Sequence, residues 1–411
     1  MITRARAAFA FIFITVLLDM ISFGVIIPVF PQLILQLQGG DMTGAAAIFG
    51  IFGTAFALMQ FVFASVQGAL SDRFGRRPVV LLSNLGLSID YVVMALAPSI
   101  PILFIGRLIS GATAATFSVS GAYVADVTPP DKRAARFGLL GVAFGIGFII
   151  GPAIGGFLGA IDIRAPFWAS AAFAFANFLY GLLILPESLP PERRGPFRLR
   201  AANPIGAMRF LGSRQILVSL AAVYFVANLA HDSLPNTFVL YATARFAFDE
   251  RAIGLALTVA GASSLVGQGL VIGRTVAAIG EYRALLAGLG IGMAGQLLLG
   301  LAPTSALFLL GLPVWAFFGL SGASLQAIAS REVGPTEQGQ LQGALSSLRS
   351  MVTLVTPVLY TGTFALFIGP LAGLGLPGAP FVLSAFLLAL ATLILLRAAT
   401  TLRSRAAARP S

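Results

Sequence analysis

The stretch Gly68-Ala69-Leu70-Ser71-Asp72-Arg73-Phe74-Gly75-Arg76-Arg77-Pro78 decides the fold of this chain. It places one carboxylate and three arginines between two apolar runs that are each long enough to cross a bilayer. Gly68 and Gly75 permit close backbone approach or a positive φ, and Pro78 suits the first turn of a following helix. We expect Asp72 to lie near helix N-terminal N–H groups, with the arginines among the lipid headgroups. The stretch is therefore predicted to be a hinge at a membrane surface, although an ordinary basic loop would share its charge.

The composition indicates a polytopic membrane protein. Of the 411 residues, 58% are hydrophobic and only 10% are charged, which exceeds what the core of a soluble protein needs. The lack of cysteine excludes disulfides and thiolate chemistry. A formal net charge of +11 would suit nucleic-acid binding, but the basic residues lie in loops between apolar runs. We therefore expect the chain to contact lipid and not nucleic acid.

Apolar runs bounded by Gly, Pro or charged residues predict an all-α fold with twelve transmembrane helices in two six-helix bundles. The predicted spans are 8–36, 45–70, 78–98, 101–125, 135–160, 165–186, 214–241, 251–275, 283–302, 304–329, 339–367 and 378–398. The resulting domains are an N-terminal bundle, a cytoplasmic linker and a C-terminal bundle, at residues 1–186, 187–213 and 214–411.

The distribution of basic residues predicts the orientation. The side that holds both termini carries 21 Lys and Arg residues and the other side carries 3. Cytoplasmic loops are enriched in these residues, so both termini are predicted to be cytoplasmic, in a multi-pass protein of the bacterial cytoplasmic (inner) membrane. The first apolar run is too long for a cleaved signal peptide, and we expect it to form span one.

The two halves of the chain repeat. The segments 125–138 and 331–343 share acidic-Val, Pro, acidic and Gly positions at an offset of about 206. A parallel duplication of this length is expected where two bundles rock about a site near the middle of the membrane.

The opening stretch resembles the loop between helices two and three of major facilitator superfamily transporters, G-x-L-x-D-R-x-G-R-R/K. The resemblance implies the two-bundle fold with a central cavity that opens alternately to each side. It also implies a cytoplasmic gate that holds the bundles in the outward-open state, built from Gly68, Asp72, Arg73, Gly75, Arg76, Asp126 and Arg136.

Span five carries a second motif, G-x-x-x-G-P-x-x-G-G, at Gly147, Gly151, Pro152, Gly155 and Gly156. Three of its glycines form a stripe along one helix face, so close helix packing alone could explain them. The full pattern resembles the drug/proton antiporter signature of the superfamily, which favours export.

Two carboxylates and one arginine fall inside predicted spans of the first bundle. Asp19 lies roughly 17 Å into span one at ~1.5 Å per residue, where a charged carboxylate costs about 2.5 kcal/mol or more unless it is neutral, paired or wetted. Asp90 lies inside span three, and Arg107 matches the span-four arginine of the superfamily. All three are predicted to take part in proton coupling; a structural role is the alternative, and for Asp90 the two are evenly matched. Beyond Asp19, the sequence Gly24 to Pro31 should loosen the helix.

The tetracycline-efflux branch of the superfamily gives a closer resemblance, over nearly the whole chain. The stretches that carry it are Ala57–Phe61, Asp90-Tyr91, Gly121–Thr128, Leu185–Ser188, Asn203-Pro204, Ser324–Gln326 and Gln338–Gly343. It implies a substrate cavity that includes Phe23, Gln60, Asn228, Gln296, Gln326 and Arg349.

The second half departs from that branch. Its members carry an acidic residue in span nine and a histidine in span eight, whereas Leu289–Gln296 and Gly261–Gln268 contain neither. Span seven instead places His231, the single histidine of the chain, beside Asp232.

Two interpretations of His231 and Asp232 are open. They could cap a helix that breaks at Pro235, or they could replace the missing titratable groups in proton coupling, since His and Asp can exchange charge near neutral pH. Arg349 in span eleven could pair with Asp232 or with an anionic substrate.

Together with these residues, the resemblance implies a proton-coupled antiporter that exports a small amphipathic compound, with tetracycline or a similar drug as the leading candidate. A proton-coupled importer or facilitator of a small metabolite is the alternative, and a receptor that no longer transports is a third. No phosphate loop, metal-ligand cluster or nucleophilic triad is recognisable, so we expect neither enzyme activity nor a cofactor or bound metal. The proton gradient would supply the energy, tetracycline would arrive as a divalent-metal chelate, and the chain is expected to work as a monomer.

Overall fold

The computed structural model describes residues 2–114, 116–129, 132–196, 209–212, 214–334 and 337–407. Within these ranges the regular structure is entirely helical. Eleven helical stretches are long and apolar enough to cross a membrane. The remaining predicted span, 101–125, is divided between two shorter helices, Ile100–Thr113 and Thr116–Val127. The predicted all-α fold of twelve spans is therefore confirmed, with span four interrupted.

The chain divides into two compact units. The first unit is Met1–Ala201 with Ala247–Ala262, and the second unit is Ala202–Phe246 with Ser263–Ser411. The helices up to residue 183 all belong to the first unit: α1 Ile2–Ile26, α2 Phe30–Leu37, α3 Met42–Phe74, α4 Arg76–Leu96, α5 Ile100–Thr113, α6 Thr116–Val127, α7 Arg133–Gly159 and α8 Ala165–Leu183.

The later helices begin after the linker. They are α9 Gln215–His231, α10 Ser233–Phe246, α11 Glu250–Val266, α12 Gly273–Ile279, α13 Glu281–Leu301, α14 Ser305–Ala316, α15 Gly319–Arg331, α16 Gln338–Ile368 and α17 Ala379–Ala407. A π-helical segment, Gly267–Ile272, joins α11 to α12. Short 3₁₀ turns occur at Pro191–Arg193 and Ala372–Leu374.

The predicted domain boundaries of 1–186, 187–213 and 214–411 stay a prediction, and the compact units group two further segments with the first bundle. The described start of the linker belongs to the first unit, because it is hydrogen-bonded there: the Gly195 N–H donates to the Asp72 carbonyl oxygen at 3.1 Å. Residues 247–262 also group with the first unit, where a Cβ on Gly156 would lie 2.8 Å from the Gly254 Cα. Residues 197–208 of the linker lie outside the described part of the chain.

Two of the long spans break near prolines, in line with the expected loosening of span one and with one of the two interpretations of span seven. The first span is interrupted between Ile26 and Phe30, where the Ile27 N–H donates to the Gly24 carbonyl at 3.2 Å in place of an α-helical bond. Because Pro28 has no N–H to donate, the helix cannot run straight through this point. Span seven breaks at Asp232, three residues before Pro235.

The glycine stripe of α7 packs against α1. A side chain on Gly147 would collide with Met20, one on Gly151 with Gly24, and one on Gly155 with the Val25 carbonyl. Small residues at such a contact let the two backbones approach closely. The predicted close packing is therefore confirmed, and it fixes the part of α1 that carries Asp19.

Candidate functional site

The predicted hinge is a break of one residue, not an extended turn. Helix α3 continues to Phe74 and α4 begins at Arg76, so Gly75 alone separates them. Its φ of +105° lies in the region that favours glycine. Gly68 lies inside α3 with open space beside it, so of the two glycines it is Gly75 that takes the positive φ. We call residues 71–77 the arginine turn.

Arg76 is the centre of the arginine turn. Its Nη1 atom lies 2.6 Å from Asp72 Oδ1 and 2.7 Å from Ser71 Oγ, and its Nε donates to Asp126 Oδ2 at 3.1 Å. The arginine is buried, whereas the Asp72 side chain is 58% exposed. Charge-assisted bonds of this kind are roughly twice as strong as neutral ones, so Arg76 ties α3, α4 and α6 together.

The other two predicted gate arginines contact aromatic rings. The Arg136 guanidinium carbon lies 4.1 Å from the ring centre of Phe9, and that of Arg73 lies 5.5 Å from the ring of Phe74. The structure thus brings Asp72, Arg76 and Asp126 together, whereas Arg73 and Arg136 contact aromatic rings instead of these carboxylates.

The acidic cap of α4 is Glu187, which the sequence analysis missed. Its Oε1 accepts from the Arg76 N–H at 2.8 Å and its Oε2 accepts from the Arg77 N–H at 3.3 Å. The role expected for Asp72 therefore belongs to a residue that lies 111 positions after Arg76. The signal was present in the Leu185–Ser188 stretch, whose acidic residue follows span six and can reach the same membrane surface. Ser188 adds a hydrogen bond from its Oγ to Asp126 Oδ2 at 3.1 Å.

Three charged side chains are buried in the membrane region of the first unit: Asp19, Asp90 and Arg107. Asp90 faces Arg107 and Ser110, yet neither of its oxygens has a hydrogen-bond partner of normal geometry within the described residues. Gly106 leaves room for this carboxylate, since a Cβ there would lie 2.9 Å from Asp90 Oδ1. The buried Tyr91 experiences the charges of all three groups. Asp90 and Arg107 therefore lie together, and Asp19 lies on the same side of the unit, near Tyr91.

Aromatic rings hold the Arg107 guanidinium. Its carbon lies 4.8 Å from the ring centre of Phe30 and 4.4 Å from that of Phe56. A ring face attracts a cation, most strongly where water is excluded. The predicted cavity residue Phe23 extends this aromatic group, with its ring centre 6.3 Å from Phe56 and 6.2 Å from Phe148. Gln60, the other predicted cavity residue of this unit, is half-buried on α3.

The second unit contains a direct ion pair at the break between α9 and α10. The buried Asp232 carboxylate lies 2.9 Å from Arg349 Nη1 through its Oδ1 and accepts from Thr356 Oγ1 at 3.1 Å through its Oδ2. His231 Nδ1 lies 3.4 Å from the same Oδ1. Of the two partners considered for Arg349, the structure shows Asp232. Thr356 was not predicted, because a threonine inside an apolar span gives no distinctive signal.

The imidazole of His231 lies on an aromatic platform. Its ring centre is 4.8 Å from that of Trp315, with 30° between the planes, and 5.4 Å from that of Phe318. The remaining third of its surface, 35%, is exposed. His231 and Arg349 therefore both present part of their side chains outward while Asp232 stays buried behind them.

A cavity of about 270 Å³ opens in the second unit in front of this pair. Its polar lining comes from Tyr224, Asn228, His231, Ser321 and Arg349, and Phe318 with two leucines supplies apolar surface. Arg349 Nη1 also contacts Asn228 Oδ1 at 3.4 Å. Two of the predicted cavity residues, Asn228 and Arg349, thus line one cavity.

Gln296 and Gln326 are placed differently from that expectation. Gln296 is fully buried and accepts from Ser233 Oγ at 3.1 Å, so it supports the start of α10. Gln326 is exposed and donates to Gln342 Oε1 at 3.2 Å. Neither lines the 270 Å³ cavity.

Comparison with known proteins gives consistent matches. A family model, the Major Facilitator Superfamily, matches residues 12–357. The class C tetracycline resistance protein of Escherichia coli is 39% identical over 85% of this chain and 88% of its own length. The class G protein of Vibrio anguillarum is 36% identical, over 85% and 88%. A crystal structure described as the human organic anion transporter MFSD10 is 27% identical, with a TM-score of 0.69, over 95% of this chain and 99% of that chain.

Proposed function

Because the chain belongs to the Major Facilitator Superfamily and is similar to its tetracycline resistance proteins, we propose that it is a proton-coupled antiporter that exports a small amphipathic compound. Membership of the family makes it a multi-pass membrane transporter. Alternating access of two bundles around a central site would carry the compound across the bilayer. The positions of the basic residues support an inner-membrane orientation with both termini in the cytoplasm.

The observation that carries the proposal is the buried pair of Asp90 and Arg107, with the buried Asp19 near Tyr91. A charged carboxylate in a membrane is costly unless it is paired, and protonation relieves that cost. Asp90 faces Arg107 without a direct hydrogen bond of normal geometry among the described residues, so a proton can neutralise it without breaking an ion-pair geometry. The two phenylalanine rings keep Arg107 favourably placed when Asp90 is neutral.

The arginine turn supports a gating role. Arg76 joins three helices through bonds to both carboxylates, and one of these bonds is made by the exposed side chain of Asp72. A change in the position of α3 relative to α4 would therefore be felt at Asp126 on α6. We propose that these bonds hold one state of the transport cycle and are released in the other, with a single chain sufficient for transport.

Tetracycline is the first compound to test, since the relatives at 33% to 39% identity are named tetracycline resistance proteins. The cavity offers less support, because Arg349 offsets the charge of Asp232. A proton-coupled importer or facilitator of a small metabolite is the alternative function. The two differ in direction: in inside-out vesicles an exporter takes up its substrate when a proton gradient is applied, and an importer does not.

The test uses inside-out vesicles from a pump-deficient bacterial host, with tetracycline uptake measured after the proton gradient is formed. We expect uptake by the wild type and a loss of at least about tenfold in Asp90→Asn, because the amide cannot exchange the proton. Glu192→Gln is the matched control, since it makes the same chemical change at an exposed position. Proton-driven uptake that is equal in Asp90→Asn and wild type would refute coupling through this pair.

A further inference from the structure

The cavity of the second unit presents a cation to its contents. Arg349 lines the cavity and its side chain is 39% exposed, whereas Asp232 is 6% exposed and is absent from the lining. The described lining residues include no carboxylate. A solute that enters the cavity therefore meets the guanidinium before it meets the acid paired with it.

We propose that Arg349 binds a carboxylate of the transported compound, which takes the place of Asp232 on the guanidinium. The inference rests on the proposed transport function and narrows its substrate to amphipathic compounds that carry one acidic group. It also assigns a role to Asp232, as the internal anion that occupies Arg349 between transport events.

The geometry of Arg349 suits this exchange. Both side-chain contacts of its guanidinium among the described residues, to Asp232 and Asn228, use Nη1. A guanidinium presents five N–H donors in a planar fork that matches a carboxylate with two parallel bonds. The carboxylate of a ligand can approach the opposite edge of the guanidinium and form two hydrogen bonds there. The guanidinium can then move away from Asp232.

Asp232 is not left alone when Arg349 turns to a ligand. Its Oδ2 keeps the hydrogen bond from Thr356 Oγ1 at 3.1 Å, and its Oδ1 keeps His231 Nδ1 at 3.4 Å. A buried carboxylate that loses its sole partner is strongly unfavourable. Because two other partners stay in place, they reduce the cost of the exchange.

The remaining lining suits a flat apolar body. Phe318, Leu285 and Leu325 supply apolar surface, and the His231 ring is held by its stacking on Trp315. At about 270 Å³ the cavity is just below the usual range for small-molecule sites, about 300–1,000 Å³. It therefore fits an aromatic system of one or two rings with the acid directed at Arg349.

The test compares three compounds that share one ring system and differ in charge: naphthylacetate, naphthylacetamide and naphthylethylammonium. Their binding to the purified full-length protein in lipid nanodiscs is measured by titration calorimetry. We expect naphthylacetate to bind at least about tenfold more tightly than the amide, as charge-assisted bonds allow, and the ammonium compound to bind most weakly. The proposal would be overturned if folded protein did not bind naphthylacetate. It would also be overturned if the ammonium compound bound as tightly as naphthylacetate or more tightly.

Two variants separate recognition from folding. Arg349→Lys keeps the charge but loses the planar guanidinium. Binding of naphthylacetate should therefore weaken about tenfold, while binding of naphthylacetamide stays the same. Asp232→Asn removes the competing anion, so binding of naphthylacetate should tighten severalfold. Tighter binding would not be expected if Asp232 had a purely structural role. Arg331→Lys is the control, because Arg331 is 76% exposed, pairs with Glu281 and lies outside the cavity lining. The proposed exchange of Asp232 for the ligand carboxylate would be contradicted if Asp232→Asn bound naphthylacetate more weakly and naphthylacetamide as before.

A parallel measurement in proteoliposomes with a proton gradient separates this inference from the function on which it rests. If the protein binds naphthylacetate but transports no test compound with the proton gradient, the anion site is supported and the antiport proposal is wrong. Proton-driven tetracycline export without a preference for the acid would retain antiport and remove the anion site.

Discussion

The two units contain the same turn with opposite charges. In the first unit Gly75, with φ +105°, separates α3 from α4, and in the second unit Gly280, with φ +81°, separates α12 from α13. The next residues, Arg76 and Glu281, also correspond, 205 positions apart. Arg76 pairs with Asp126 at 3.1 Å, whereas Glu281 pairs with Arg331, the residue 205 positions after Asp126, at 2.8 Å.

The difference between the pairs is the burial of the arginine, since Asp126 and Glu281 are 21% and 18% exposed. The Arg76 side chain is 10% exposed and also bonds Asp72 and Ser71, whereas the Arg331 side chain is 76% exposed. An exposed ion pair contributes about 0–1 kcal/mol, while a buried arginine with several partners leaves unpaired groups when it is lost. The ion pair thus occupies the same position in both units, but the acid and the base are reversed and the arginine is buried only in the first unit. A gating role is therefore supported only in the first unit.

Replacing the two arginines tests this contrast and should give the largest effect. Arg76→Gln leaves Asp72 and Asp126 without their shared cation, so proton-driven transport should fall at least about tenfold, as expected for lost charge-assisted bonds. Arg331→Gln should keep transport within about twofold, since it breaks one exposed pair. Transport in inside-out vesicles is measured per folded protein. Equal losses in both variants would remove the distinction between the turns.

The two glycines allow a second test, by stability. Gly75→Ala and Gly280→Ala each place a Cβ at positive φ, which costs about 1–2 kcal/mol. At Gly280 nothing lies within 4 Å of that Cβ, but at Gly75 it would collide with Glu187 Oε2 and disturb the cap of α4. Thermal unfolding in detergent should therefore show a clearly larger loss for Gly75→Ala. If Gly280→Ala proved as harmful, the cap by Glu187 would not contribute.

The sequence predicted those features of the fold that depend on neighbouring residues. The glycine stripe of α7, the break after Gly24 and the break before Pro235 follow from local spacing and backbone chemistry, and all three are present. The cap of α4 was misassigned because its acid, Glu187, lies 111 positions after Arg76, beyond any local pattern.

The candidate site was predicted in part. Charged residues inside apolar runs are conspicuous, so Asp19, Asp90, Arg107, Asp232 and Arg349 could all be identified. Their partners could not, because Trp315 under His231 and Phe56 beside Arg107 are ordinary residues of apolar helices. The repeat was recognised from the segments 125–138 and 331–343. The reversed ion pairs could not be, because each joins a residue of one segment to a turn about 50 positions earlier in the chain, Arg76 with Asp126 and Glu281 with Arg331.

The smallest expected effect concerns a partly exposed pair of the second unit, Arg214 and Glu337. Glu337, at the start of α16, accepts from the Gly334 N–H at 3.1 Å and from Arg214 Nη2 at 2.9 Å. The Gly334 hydrogen bond, followed by Arg214, holds the pKa of Glu337 below its ordinary value. Because the folded pKa lies below the unfolded one, this pair stabilises the fold above the ordinary pKa and loses that contribution as the pH falls through the folded pKa.

The comparison of wild type with Glu337→Gln isolates this group from the other carboxylates. At pH 7 the wild type should unfold at a slightly higher temperature, and the difference should shrink steadily as the pH is lowered toward 3. Addition of salt at pH 7 should reduce the same difference, since an exposed pair is screened. The Arg76 network should respond less to salt, because its arginine is buried. A difference between wild type and Glu337→Gln that ignores both pH and salt would mean that this glutamate acts through packing, and the contrast between exposed pairs in the second unit and a buried arginine in the first would lose its electrostatic basis.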